Sequence, residues 1–364
     1  MKPDAKAGRV LAPVQSVEAA AGSEEEWLLA DIGGTNVRFA LAGPAASEPL
    51  REDSVQAFRV AGFESLAAAA RVYLQGRQGR AGHRRPSRAV FALAGRVEGG
   101  QGRLTNHPWR IDAAQLQADL GLRSVRLIND FAAVGLSLPL LGESDVQAVG
   151  PPVAPIDRAL RATYCVLGPG TGLGVSALAI DSGTVLSLQT EGGHAGFAPT
   201  TEEEIDLLRR LAARFGRVSM ERLLCGSGLA NLHEALCAMH GGGEAPLAPE
   251  TITERALQRS DPRCTRAVEL FCEILGSFAG DCALIFGAWQ GVYLAGGMLE
   301  ALSPWIRTGP FRTRFESKGR FAEAMARVPV ALITHPQPGL LGAAACAVLD
   351  SSNPPARTPT AGGP

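Results

Sequence analysis

Lysine is almost missing from this chain: among 35 basic residues, only Lys2, Lys6 and Lys318 are lysines, and no Gly-Lys-Ser or Gly-Lys-Thr occurs. That excludes a Walker-type P-loop, whose lysine reaches the β- and γ-phosphates. Long apolar runs are missing too. Nothing in the 364 residues stays apolar for the roughly 20 positions a membrane-spanning helix needs. Residues 1–26 lack the apolar centre of a signal peptide and read as a disordered tail, as do residues 351–364, rich in Pro, Ser, Thr and Gly. A formal net charge of −1 supplies no basic field for nucleic acid. The seven cysteines are an odd, scattered set with no CxxC and no tight Cys/His cluster, which points to reduced, buried thiols rather than disulfides or zinc. With 46% hydrophobic and 20% charged residues, the chain reads as a cytoplasmic globular protein. It is large enough for two domains and has neither a membrane nor a nucleic-acid partner.

What is present is a strand, glycine turn, strand pattern that occurs twice. The apolar run Trp27-Leu28-Leu29-Ala30 leads through Asp31-Ile32-Gly33-Gly34-Thr35-Asn36 into a second run. There Val37, Phe39 and Leu41 alternate with Arg38, the period of a half-buried strand. Tyr164-Cys165-Val166-Leu167 leads likewise through Gly168-Pro169-Gly170-Thr171-Gly172-Leu173-Gly174 into a strand over 175–180. Glycines in such turns tolerate positive φ and carry no Cβ, so backbone N–H groups can close on a phosphate, and Asp31 beside them can serve a hydrated Mg²⁺. A dinucleotide fingerprint is excluded because a strand, not a helix, follows the second turn. One copy in each half predicts two related lobes facing one ligand.

Between and after these hairpins the periodicity predicts a helix over 63–74 with Leu66, Ala70 and Leu74 inward, a loop over 76–86 and a strand over 88–93. A helix capped by Asp112 and closed by Gly121 follows, then a strand over 125–128 ending at Asn129-Asp130 and a helix over 131–138. The second half predicts a strand over 185–189 running into Glu191-Gly192-Gly193-His194. Next comes a Thr201-capped helix with Ile205, Leu208 and Leu211 inward, whose first-turn acids stabilise its dipole. Helices are expected from 219, over 228–239 and 261–286, strands over 292–295 and 330–333, and a closing helix over 340–349. This is an α/β chain with two mixed sheets and a cleft between them. The Pro- and Gly-rich stretch 141–157 marks the border. Whether the last helix crosses back to the first lobe stays open. Asn129 and Asp130, at the carboxyl end of a strand, stand where such sheets bind ligands.

Taken together and in order, eight motifs resemble the bacterial glucokinase family of the sugar kinase, Hsp70 and actin superfamily. They are Asp31-Ile-Gly-Gly-Thr-Asn-Val-Arg38, Leu104-Thr-Asn-His-Pro-Trp109, Leu127-Ile-Asn-Asp-Phe131, Gly168-Pro-Gly-Thr-Gly-Leu-Gly174, Glu191-Gly-Gly-His194, Ser219-Met-Glu-Arg222, Leu294-Ala-Gly-Gly297 and Pro338-Gly-Leu-Leu-Gly342. The related ROK group is less similar, for its cysteine-rich zinc loop is missing here. The resemblance implies a two-lobed actin/hexokinase-like fold and ATP-dependent phosphorylation of the 6-hydroxyl of D-glucose, feeding glycolysis. It implies Asp130 as catalytic base and Asn129, Asp130, Glu191, His194 and Glu221 as sugar ligands. Gly33, Gly34, Thr35, Asn36, Gly170, Thr171, Gly172, Gly296 and Gly297 would bind nucleotide, Asp31 would hold Mg²⁺ through water, and the assembly would be a homodimer. A small domain is expected over 27–141, with helix 338–349 as a candidate to complete it, and a large one over 142–337. The competing readings are a kinase for mannose, fructose or an N-acetylated amino sugar, a non-catalytic sugar sensor, and an actin-like ATPase.

Overall fold

A computed structural model describes residues 25–352 apart from 44, 79–83, 105–106 and 243–244. Part of the loop 76–86, Thr105 and Asn106 of the second motif and nearly all of both expected tails lie outside the described residues. Glu25 and Glu26, counted with the N-terminal tail, are anchored: Glu26 is buried and pairs with Arg51 at 2.5 Å, while Glu25 pairs with Arg88 and Arg123.

The first half runs β1 (Trp27–Ile32), β2 (Asn36–Ala42), β3 (Leu50–Arg59), α1 (Leu66–Arg77), β4 (Arg88–Leu93), a small three-stranded sheet of β5 (Val97–Glu98), β6 (Gln101–Arg103) and β7 (Arg110–Asp112), then α2 (Ala113–Leu120), β8 (Ser124–Asn129) and α3 (Asp130–Ser137). The main sheet has the order β3-β2-β1-β4-β8, an antiparallel meander extended by two parallel strands. Helix α2 is capped by Asp112, whose carboxylate accepts the Gln115 N–H at 3.0 Å, and ends at left-handed Gly121, as expected. Helix α1 starts three residues later than its apolar period suggests, because the Ser65 hydroxyl accepts the Ala68 N–H and fixes the N-terminus there.

The second half repeats the plan with helices inserted. An edge strand β9 (Val146–Ala148) rises from the expected border stretch. Then come β10 (Ala162–Pro169), β11 (Leu173–Asp181), β12 (Thr184–Gln189), α4 (Glu202–Phe215), α5 (Gly226–Met239), α6 (Pro249–Leu257), α7 (Pro262–Phe286), β13 (Gly291–Leu294), α8 (Gly297–Thr308), α9 (Phe311–Glu316), α10 (Ala322–Ala326), β14 (Val330–Ile333) and α11 (Pro338–Ser352). Its sheet, β12-β11-β10-β13-β14-β9, again begins with a meander and adds two parallel strands before β9 closes the edge.

Alternation along the strands sorts side chains into separate cores. Leu28, Ala30, Ile32, Val37, Phe39 and Leu41 pack with α1 and α2, whereas Leu29, Ala40 and Ala42 face the other way. That second face meets α11 and, beyond it, Val166 and Leu178 of the second sheet. Helix α11 packs on β1, β2 and β4, α3 reciprocally packs on β10, β11 and β12, and the two helices cross each other between the sheets. Their approach is close, since a Cβ at Gly342 would overlap the Ala133 carbonyl. Each half thus sends its final helix onto the other half's sheet, which sets the strand ends and turns of both halves around one cleft.

Helix α4 buries Leu211 as expected but turns Glu204 and Leu207, rather than Ile205 and Leu208, fully inward. Glu204, Leu207 and Leu211 are buried, and Ile205 and Leu208 are only partly covered. Glu204 is drawn in by Arg314, 2.6 Å away, and by the Thr200 N–H and hydroxyl. Among the described residues no helix is long and apolar enough to cross a membrane.

Candidate active site

The site is built from strand ends. Asp31 lies in β1, and a Cβ on Gly339 would stand 2.9 Å from its Cγ, so the glycine lets the first turn of α11 come up against the carboxylate. The positive end of a helix dipole there favours negative charge. Burial nevertheless raises the Asp31 pKa, with the Arg38 guanidinium 3.4 Å away pulling the other way.

Asp130 opens α3 where β8 ends. Burial pushes its carboxyl up to about 7, and the negative charges of Asp31 and, more weakly, Glu191 add to the rise, while the Phe131 N–H at 3.0 Å opposes it. Asp31 and Glu191, drawn from the two halves, thus both lie within electrostatic reach of Asp130. A carboxyl poised near neutrality is matched to taking a proton at physiological pH.

Asn129, buried beside it, caps α3: its side-chain oxygen accepts the Ala132 N–H at 3.0 Å, and its amide donates to Gly95 O at 3.1 Å and to Asp130 Oδ1 at 2.9 Å. The cap of this helix is therefore Asn129, and Asp130 is its first residue. Asp130 Oδ1 is thereby held by both the Asn129 amide and the Phe131 N–H.

The next group comes from the second half. Glu191 precedes a 3-10 turn, Gly192–His194, and Glu221 sits in another, Met220–Arg222; the turns are joined by the Met220 N–H donating to Ala195 O at 2.8 Å. His194 bridges the acids, with Nε2 at 3.9 Å from Glu191 and Nδ1 at 3.9 Å from Glu221. A Cβ on Gly193 would overlap Leu173 O, so this motif needs glycine to lie on the start of β11. Carboxylates that accept and an imidazole that does either suit a polyol.

Glu221 also joins this group to the second glycine turn. Its Oε2 accepts the Leu173 N–H at 2.9 Å and lies 2.5 Å from where a Cβ on Gly172 would stand. In both turns one N–H is spent internally, Gly33 on Asn36 O at 2.9 Å and Gly170 on Gly172 O at 2.8 Å. Gly33, Gly170 and Gly172 do not use the left-handed region, contrary to the expectation from their sequence. Around Gly170 a Cβ would meet nothing within 4 Å, and around Gly33 only an ordinary contact with Asn36 O. Neither position needs glycine for the chain's own packing. Gly296 does: with φ at 129° and a Cβ that would stand 2.5 Å from Pro169 O, it brings the start of α8 against the second turn. The Gly226 N–H at the start of α5 donates to Gly170 O at 2.9 Å, so two helix N-termini flank this turn.

Sequence reasoning missed Phe131. Its ring occupies the space that side chains at Gly168 and Gly174 would take, while Ser176 and Ser187 hydroxyls donate to Phe131 O and Ala132 O at 2.7 and 3.0 Å. The glycines of the second hairpin thus admit the helix that carries Asp130. The signal was there in the two outer glycines, which the phosphate reading left without a task.

Duplicated sheets around a cleft lined by carboxylates, with a glycine hairpin in each half, define the two-lobed actin-like sugar-kinase class. The comparisons narrow this. The family model described as Glucokinase matches residues 28–349. A glucokinase of Xanthomonas oryzae is 49% identical over 333 residues, 90% of this chain and 96% of that one. The crystal structure of a glucokinase from an Antarctic psychrotroph superposes with a TM-score of 0.78 at 34% identity, covering 88% of this chain and 98% of that one. A glucokinase from Balamuthia mandrillaris, solved in complex with glucose, shares the fold with a TM-score of 0.73 at 21% identity, over 90% and 94% of the two chains. The chain belongs to the glucokinase family.

Proposed function

We propose that this chain transfers the γ-phosphoryl group of ATP to the 6-hydroxyl of D-glucose, with Asp130 as the base. The observation that carries the proposal is the convergence on Asp130. Its carboxyl is lifted to about 7 by burial and by Asp31 and Glu191, beside a Glu191, His194 and Glu221 group suited to sugar hydroxyls. In phosphoryl transfer the protein's task is to position the hydroxyl, take its proton and stabilise charge. Asp130 would accept the 6-hydroxyl proton at its carboxylate. Glu191, His194 and Glu221 would hold the ring, and Asn129 would contribute both by contact with the sugar and by fixing Asp130.

For the nucleotide we assign Gly33, Gly34, Thr35 and Asn36 to one phosphate turn, Gly170, Thr171 and Gly172 to the other, and Gly296 and Gly297 to the adenosine. The room left at Gly33 and Gly170, which packing does not explain, supports this. Asp31 and Asp130, mutually repelling carboxylates in a buried setting, fit a hard divalent ion that keeps most of its water. Mg²⁺ held by Asp31 through water would neutralise charge on the transferred group. We further infer a cytoplasmic, glycolytic role, a homodimer, and domains over 27–141 and 142–337 with helix 338–349 returned to the first.

A coupled assay with glucose, mannose, fructose and N-acetylglucosamine, each with ATP, ADP or polyphosphate, tests the reading. Glucose with ATP should give the highest kcat/KM. Glucose binding without turnover with any donor would favour the sensor, and a different preferred hexose would reassign the substrate.

A further inference from the structure

Away from the cleft, α5 and α7 bring together side chains that the reaction does not use. His233 and Cys237 lie one turn apart on α5 and so share a face. Asp261 caps α7, and Cys264 follows three residues later in its first turn. His233, Cys237 and Cys264 are buried. One ligating atom each from His233, Asp261 and Cys264 all lie within 4.8 Å of one another. Cys237 Sγ is 3.7 Å from His233 Nε2 and 3.9 Å from Nδ1, and the Cys264 side chain hydrogen-bonds Asp261.

We propose that His233, Cys237, Asp261 and Cys264 form a structural zinc site linking α5 to α7. The donor set is one nitrogen, one oxygen and two sulfurs, the number and kind that tetrahedral Zn²⁺ takes. With metal–ligand bonds of about 2.0–2.3 Å its ligand atoms sit roughly 3.5 Å apart, so His233, Asp261 and Cys264 would close onto an ion by shifts of an ångström or so, and Cys237, beside the His233 ring, would turn in as the fourth ligand. Thiolates and imidazole exclude Mg²⁺ and Ca²⁺, which take oxygen. Two thiolates and a carboxylate leave a net charge of −1 around the ion, and the Arg255 guanidinium, 3.6 Å from Asp261 Oδ2, offsets it. On binding, the two thiol protons pass to solvent. This is not a cysteine-rich loop but a pair of ligands from each of two helices, His-x3-Cys and Asp-x2-Cys. With four protein ligands the site is closed, so the ion would bind and brace the large lobe without meeting substrate. Helix α5 begins at Gly226, which holds the second glycine turn, so the brace lies behind that turn.

The full chain, stripped with a chelator under reducing conditions and titrated with Co²⁺, should bind one ion with a thiolate-to-cobalt charge-transfer band and the intense visible bands of a tetrahedral site. Zn²⁺ should displace it and raise the Tm. Cys237→Ser and Cys264→Ser should each lose the band and the zinc-dependent rise in Tm, and Cys346→Ser should keep both. Should the serine variants not fold, zinc-edge X-ray absorption of the loaded wild-type chain decides, with two sulfur neighbours expected. No thiolate band in the wild-type titration, a band unchanged in both variants, or zinc without sulfur neighbours would overturn the proposal.

Discussion

Replacing Glu221 by glutamine separates recognition from folding. In the structure Oε2 of Glu221 accepts the Leu173 N–H at 2.9 Å and Oε1 faces His194 at 3.9 Å. The glutamine oxygen can take over the bond to Leu173, so the second turn keeps its anchor and the fold loses little. What goes is a charged acceptor on the cleft side, now an NH2 group. A hydrogen bond to a charged group contributes about 1.5–3 kcal/mol, and each 1.4 kcal/mol is about a factor of ten, so KM for glucose should rise roughly 10- to 150-fold. Steady-state kinetics over a wide glucose range, with a thermal melt of the same preparation, reads both quantities. A KM within twofold of the parent together with a clear fall in Tm would refute the reasoning, because it would make Glu221 a support for the turn at Leu173 and nothing more.

Three further outcomes follow from the same contacts. Because the Asp130 carboxyl is raised from 3.8 to about 7, the folded chain holds a proton that the unfolded chain releases across that window, so this group's contribution to stability falls as pH rises through it. In melts without magnesium or ligands, Asp130→Asn should therefore raise the Tm at pH 8 and change it little at pH 4; equal effects at both would show that the carboxyl titrates normally. Gly174→Ala forces a methyl into the Phe131 ring, an overpacking that costs about 1–3 kcal/mol; the variant should lose both Tm and kcat, and parental kcat would show that α3 does not depend on this contact. Arg314→Ala leaves the buried Glu204 carboxylate without its cation, a loss of about 3–5 kcal/mol read by urea unfolding, with glucose KM little changed; a loss under 1 kcal/mol would argue that Glu204 is held by Thr200 alone.

Much of this fold was legible because apolar alternation and turn chemistry coincide. Strands β4 and β14 fall on their expected residues, and α2 begins and ends at the expected Asp112 cap and Gly121. Strand β3 was not legible: as an edge strand it exposes Glu52 and Asp53, and the residue that anchors it, buried Ser54, bonds the Leu41 N–H and the Tyr73 hydroxyl from far along the chain. Helix α8 was hidden by its start at Gly296-Gly297 and its internal Pro304. The inward turn of Glu204 depends on Arg314, 110 residues away, which no local period reports. At the site, several packing roles were not legible in the motifs. Asn129 proves to be the cap of α3, and the outer glycines at 168 and 174, given no task from sequence, make room for Phe131. The four residues at 233, 237, 261 and 264 escaped notice because the pairs are 24 positions apart and meet only when α5 packs on α7.

If Asp130 takes the proton from the 6-hydroxyl while the remaining groups hold the sugar, its charge is needed for the rate far more than for binding. Asp130→Asn keeps the size of the side chain and can retain the bond from the Phe131 N–H, so steady-state kinetics with glucose and ATP, paired with calorimetric titration of glucose, isolates the base. The kcat should fall by about two or more orders of magnitude, as general bases contribute, with the glucose Kd changed far less. A folded Asp130→Asn chain with near-parental kcat would contradict it.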